Sequence, residues 1–154
     1  MRASELAKYL INEYHKKNKI ISNLVLQKIM YLIQNKLLKE NFNGSDVIED
    51  EFEAWQYGPV IRQLYIEYVS FGGMDLSIFI PKEDITRFEK SINVEVKKII
   101  DNIIEKYIKI YPWDLVRLTH IANGAWQKTM SNNSNVYGGI IPKDMIKGDI
   151  IENN

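Results

Sequence analysis

The chain has no cysteine, so it can form neither a disulfide nor a thiolate metal site. It has two histidines, His15 and His120, too far apart in sequence to make a helical ligand pair. No excess charge of either sign is present: 20 Lys and Arg balance 20 Asp and Glu in 154 residues. That balance argues against nucleic acid as a partner, since neutralising phosphates supplies most non-specific affinity. No apolar run reaches the length of a membrane span, and Met1 to Glu5 does not lead into a signal-peptide core. A cytoplasmic location is therefore expected. There is no glycine-rich phosphate loop and no histidine–carboxylate spacing that reads as a metal site. No catalytic set, cofactor site or metal site is expected.

The length and the 45% hydrophobic content fit one domain, residues 1–154, able to bury a real core. Apolar residues recur mostly at helical spacing. A first helix is expected from about Ser4 to Lys16, capped by Ser4 and striped by Ala3, Leu6, Leu10 and Tyr14. The second is the longest and most apolar, from a Ser22 or Asn23 cap to about Glu40, with Leu26, Ile29, Met30, Ile33 and Leu37 in one stripe. Such a helix belongs in the middle of a bundle. Its narrow polar face, Gln27, Lys28, Tyr31, Gln34 and Asn35, reads first as a solvated edge and second as a contact surface. Asn43 to Asp46 reads as a turn, and the acidic run from Asp46 to Glu53 as a solvated segment.

The stretch from Glu53 to Val60 is the organising one. Trp55 and Tyr57 would point the same way in an extended segment. Gly58 opens a backbone conformation closed to other residues, and Pro59 suits the first position of a helix carrying Ile61, Leu64, Tyr65 and Tyr68. Trp55 is expected mostly in the core. Phe71-Gly72-Gly73 should stop that helix, and Leu76 to Ile80, closed by Pro81, reads as a short strand that could pair with Phe52 to Trp55. Helices are expected from Asp84 to Lys90, from Val94 to Tyr107, and from Pro112 with Leu115, Leu118, Thr119 and Ala122 inside, reaching Trp126 if it persists past Gly124. Met130 to Gly139 (131–139 as the mobile core of it) reads as a loop, Pro142 as the start of a last helix with Met145 and Ile146, and 150–154 as a frayed tail. The fold class is thus mainly α: a helical bundle around a central long helix with at most one two-stranded β piece. Asp114 and His120, six apart on a helix, face different ways and make a poor acid–base pair.

Three phrases in order resemble the Panacea antitoxin-domain family, with its SocA-like and phage-associated GepA-like branches. They are Leu26-Gln27-Lys28-Ile29-Met30-Tyr31; Ala54-Trp55-Gln56-Tyr57-Gly58-Pro59-Val60 followed by Leu64-Tyr65; and Leu118-Thr119-His120 with Trp126 downstream. The chain departs from the pattern at Gly124-Ala125, where a proline is expected before the tryptophan. The resemblance implies a bacterial helical domain that neutralises a cognate protein toxin, or one that delivers it to a ClpXP-type protease. A DNA-binding regulator is the alternative from another class, and pairing with a second copy is left open. Gln27, Lys28, Tyr31, Tyr57 and Arg62 are the expected partner contacts; Trp55, Gly58, Pro59, Tyr65, Thr119, His120 and Trp126 are the expected structural signature.

Overall fold

In the computed structural model, residues 1–79, 85–132 and 137–151 are described. The Pro81 stop, the Asp84 helix start, residues 133–136 of the expected loop and 152–154 of the tail lie outside them. The fold is mainly α, with a small antiparallel sheet.

Helix α1 (Ala3–Lys16) buries Ala3, Leu6, Leu10 and Tyr14, the stripe its spacing predicts. Ser4 does not cap it. The residue before the helix is Arg2, and the otherwise unpaired amide of Ala3 donates instead to the Asp50 carboxylate at 2.8 Å. A carboxylate at a helix N-terminus satisfies both the orphan amide and the helix dipole. Asp50 is therefore a half-buried structural group rather than a solvated one.

Helix α2 (Asn23–Lys39) starts as expected, with the Ser22 hydroxyl accepting from the Val25 amide at 3.3 Å. Leu26, Ile29, Met30, Ile33 and Leu37 are all fully buried. The helix touches α1, α3 (Arg62–Tyr68), α6 (Val94–Tyr107), α7 (Pro112–Thr119), α9 (Lys143–Gly148) and strand β2 (Gly58–Val60), so it is enclosed on nearly every side.

Among the described residues the sheet has three strands in the order β2-β1-β3, with β1 at Phe52–Trp55 and β3 at Tyr137–Ile141. The expected strand from Leu76 is instead a helical turn, α4 (Leu76–Phe79), and does not pair with β1. Asp75 accepts from the Ser77 amide and hydroxyl, a local arrangement that starts helices and competes with extended backbone. The edge of β1 goes to a segment that reads as part of a polar loop. There Gly138 lies so close to β1 that an added Cβ would stand 2.4 Å from the Ala54 carbonyl oxygen. Only glycine allows that approach, so the feature that made the stretch look like a loop is what lets it be a strand.

Pro59 also differs from expectation. It sits in β2, paired with Ala54, and α3 begins only at Arg62. A residue without an amide donor is tolerated on an edge strand, and β2 is one. Gly58, at φ +112°, does take the conformation reserved for glycine. Gln56 and Tyr57 form the two-residue turn between β1 and β2, so Tyr57 is not on a strand with Trp55.

Helix α3 gives way to a tighter turn at Val69–Phe71 and stops at Gly72, φ +56°. After α5 (Thr86–Ser91), α6 runs from Val94 to Tyr107, capped by the Asn93 side chain. Pro112 opens α7, which ends at Thr119 and does not continue through Gly124. Trp126 therefore lies on a separate helix, α8 (Ala125–Ser131), and Ala122, expected inside, is exposed in the connection.

Buried side chains from most of these elements form one continuous cluster around α2. Ile33→Asp should place an unpartnered carboxylate in its centre at a cost of about 4–5 kcal/mol or more, a large part of the usual 5–15 kcal/mol of a domain. Circular dichroism should show loss of the cooperative melt; a variant melting like the parent would mean that this face of α2 is not in the core.

Candidate partner-binding cleft

The polar face of α2 is neither solvated nor a surface. Gln27, Lys28, Tyr31, Gln34 and Asn35 are all buried. Each holds another part of the chain. The Gln27 side-chain oxygen accepts from the Ile61 amide at 2.9 Å, where the chain leaves β2 for α3. Gln34 both accepts from the Ile48 amide (2.9 Å) and donates to the Ile48 carbonyl (3.0 Å), as a strand neighbour would. Asn35 donates to the carbonyls of Ile146 (2.7 Å) and Asp149 (3.1 Å). Tyr31 donates to the Asp149 carboxylate at 2.6 Å, and the second oxygen of that carboxylate accepts from the Ala125 amide at 2.8 Å. Burial, reinforced by that carboxylate, pushes the Tyr31 phenol far above its ordinary pKa. Three of the expected contact residues, Gln27, Lys28 and Tyr31, thus present no surface of their own, and only Gln27 and Lys28 border a cleft.

Lys28 is the exception within the strip. Its ammonium is fully buried and donates to the Pro59 carbonyl at 3.0 Å. No carboxylate reaches it among the described residues, and burial lowers its pKa from 10.5 to about 7. A Cβ on Gly58 would meet Lys28 Nζ at 2.9 Å and His120 Nε2 at 3.0 Å, so glycine is needed here for space as well as for backbone angle. His120 Nε2 is buried without a hydrogen-bond partner among the described residues. Burial holds the pKa of His120 down; the Tyr57 backbone pulls the other way, and the charge of Lys28 adds a further downward push. The imidazole stacks on Trp126, with ring centres 3.8 Å apart and planes 7° from parallel. Trp126 Nε1 in turn donates to the Trp55 carbonyl at 2.7 Å. Thr119 is buried, its hydroxyl spent on the Val116 carbonyl within its own helix. Asp114 pairs with Arg117, not with His120, so no acid–base dyad forms.

The Trp55–Pro59 hairpin is therefore gripped from behind by Lys28, His120 and Trp126. Its front is different. Trp55, expected mostly in the core, is only half-buried. Tyr65 meets its ring edge-on at 4.9 Å, and the Arg62 guanidinium lies 5.2 Å from its centre. Arg62 is held there by two bonds to Glu53, 2.8 and 2.7 Å, which also takes Glu53 out of the solvated segment it was assigned to. Trp55, Tyr57, Tyr65, Leu24, Gln27 and Lys28 border a cleft of about 380 Å³. Tyr57 is 56% exposed at its rim and touches Trp113, itself 63% exposed, at 6.2 Å between ring centres.

Trp113, with the exposed Tyr111 beside it, is the part of this face that sequence reasoning missed. The signal was present: Trp113 stands off the apolar stripe of α7, and a large aromatic off the stripe has no core to enter.

Among protein families, the model described as antitoxin SocA-like, Panacea domain, matches residues 26–127. Among curated proteins, antitoxin SocA of Caulobacter vibrioides is 26% identical over 111 residues. The match takes in 69% of this chain, and the chain spans only 58% of that relative's length. No solved structure matches. The family match begins one residue before Gln27 and ends one residue after Trp126, so it takes in most of the residues that border and back the cleft.

Lys28 also makes a pH prediction. The unfolded chain binds the lysine proton up to about pH 10.5 and the folded chain only to about pH 7. Between those values the unfolded state carries the extra proton, so stability rises with pH; below about 7 the penalty is present in full. Lys28→Met should remove a penalty on the order of a few kcal/mol. Thermal melts from pH 7 to 9 should climb in the parent and stay nearly flat in Lys28→Met; parallel curves would show that the ammonium is not buried.

Proposed function

The chain belongs to the SocA-like Panacea antitoxin family, and from that membership and this exposed aromatic face we propose that it neutralises a protein toxin by binding it directly. The observation that carries the reading is the pair Tyr57 and Trp113, two large rings in contact with each other and mostly in water. Exposed aromatics next to a cleft are what interface hot spots are made of, and Arg62 beside them is the other residue type enriched there. Tyr57 is held on a rigid backing, since Lys28, His120 and Trp126 fix the hairpin, and Trp113 stands on helix α7. Pre-organised anchors lose little freedom on binding and so convert contact into affinity efficiently.

Among the described residues no cluster of three or more histidine or acidic side chains is placed to hold a metal. Nor is α2, the helix a DNA-reading pair would need, available to a groove: it is enclosed by its own chain. Delivery to a protease would begin with the same binding step and would differ only in what happens to the bound toxin.

The test is co-expression with the product of the neighbouring gene. Tyr57→Ala and Trp113→Ala should melt like the parent but bind the toxin about 30-fold more weakly, as hot-spot losses near 2 kcal/mol imply, and fail to rescue growth. Trp55→Ala should lower the melting temperature as well. If the double Tyr57→Ala, Trp113→Ala variant rescues fully, the partner face lies elsewhere. A toxin whose half-life falls on co-expression would select delivery over direct neutralisation.

A further inference from the structure

We propose that a groove between α2 and α6 seats two turns of an acidic amphipathic helix from a protein partner, its apolar side chains on the floor and its carboxylates on lysines of both walls. This is a second docking surface, sharing no lining residue with the cleft at Trp55 and resting on nothing said of that cleft.

The groove has a volume of about 300 Å³. Helix α2 contributes Leu32, Lys36 and Lys39 to it, and α6 contributes Ile99, Ile103 and Lys106. On each helix these residues recur at three- and four-residue spacing, so each wall is one helix face about two turns, or roughly 10 Å, long. Leu32 is buried, whereas Ile99 and Ile103 are only half-buried. The core side of α6 is already filled by Val96, Ile100, Ile104 and Tyr107. Ile99 and Ile103 therefore form a second apolar column, beyond the stripe the core uses. A helix laid over two others sets its i and i+3 or i+4 side chains into such a furrow.

The rim is of one sign. No acidic side chain lines the groove among the described residues. The acids in the middle of α6 are engaged elsewhere: Asp101 with Tyr9 of α1 and with Lys97, and Glu105 with Lys17 just past α1. Lys36 is bonded to Glu40 at 2.7 Å, but both are about half exposed and spaced i, i+4, a pair that contributes little and exchanges readily for a partner's carboxylate. Burial lowers the pKa of Lys106, and the charge of Lys36 lowers it further, so the cations of the two walls feel each other. In a chain whose charges balance at 20 and 20, this is a local excess that acidic side chains complement. The floor selects protein over nucleic acid. A phosphate backbone would answer the lysines and leave Ile99 and Ile103 uncovered.

The test uses the full chain and blocked fourteen-residue peptides built on a heptad, with leucine at a and d, glutamate at e and g, and alanine or glutamine elsewhere. Two counterparts carry glutamine or lysine in place of the glutamates. Binding is read from the backbone amide resonances of the chain at neutral pH and about 150 mM salt, and peptide helicity by circular dichroism. The glutamate peptide should bind at least about tenfold tighter than the glutamine one. It should gain helicity and shift the amides around Lys36, Lys39, Ile103 and Lys106, not those from Trp55 to Tyr57. Lys39→Glu with Lys106→Glu, both at exposed positions, should melt like the parent and prefer the lysine peptide. If that variant melts early, Lys39→Gln with Lys106→Gln should bind the glutamate and glutamine peptides alike. Equal affinity of the parent for those two peptides, or a footprint at Trp55, would overturn the proposal. So would a duplex DNA of random sequence, or a rise in the protein's own concentration, that shifts these amides when the glutamate peptide does not. Peptide binding that appears only after residues 152–154 are removed would also overturn it, because the groove would then seat the chain's own end. None of these readings involves a toxin or the Tyr57 face, so the proposed function stands or falls separately.

Discussion

Six polar side chains of α2, counting Asn23 at its start, lie where water does not reach, and the rest of the molecule is arranged to give them partners. The partners are almost all backbone groups of segments with little secondary structure of their own: Ile48 before the sheet, Pro59 and Ile61 around β2, Ile146 and Asp149 at the end of α9. Each bond contributes only about 1 kcal/mol net, but leaving one of these groups unpaired would cost 1–3 kcal/mol. The helix thus fixes not only the core but the course of the loops that run over it. A helix apolar on one stripe could pack in several rotations; one that must also satisfy this polar row has one.

That constraint reaches the surface through Lys28. The ammonium ties the hairpin to α2 by a single bond, and the stacked pair His120 and Trp126 ties it to α7 and α8. The backbone of the Trp55–Pro59 turn is held at three points from within, while Tyr57 and the front of Trp55 stay open. A rigid corner with an aromatic face is built here from folding contacts. The same residues serve as structural signature and as support for the candidate interface.

The sequence made the helices legible where periodicity and caps agreed. Val94 to Tyr107, the Ser22 cap and the Pro112 start all follow from spacing and end chemistry. It did not disclose the third strand, because Tyr137–Ile141 owes its place to the close approach of Gly138 to Ala54, a contact across some eighty residues. Nor could the polar row of α2 be read as buried. Periodicity shows that Gln27, Gln34 and Asn35 share a face, but whether that face meets water depends on whether distant backbone arrives to bond it. Of the expected partner contacts, Tyr57 and Arg62 lie in the open, whereas Gln27, Lys28 and Tyr31 lie beneath. Pro59 was read as a helix start because its fixed φ suits both that position and an edge strand, and only the pairing with Ala54 decides between them.

The central claim, that α2 side chains act as the backbone partners of the surrounding loops, is most directly tested by native-state hydrogen exchange. The amides of Ile48 and Ile61 donate to Gln34 and Gln27 and to no backbone acceptor of a helix or strand. If those bonds stand with the core, both amides should exchange only on global unfolding, within about tenfold of the amides in the middle of α2. Exchange at the rate of open loops would show that the glutamines do not hold them and that the polar face of α2 is wet after all.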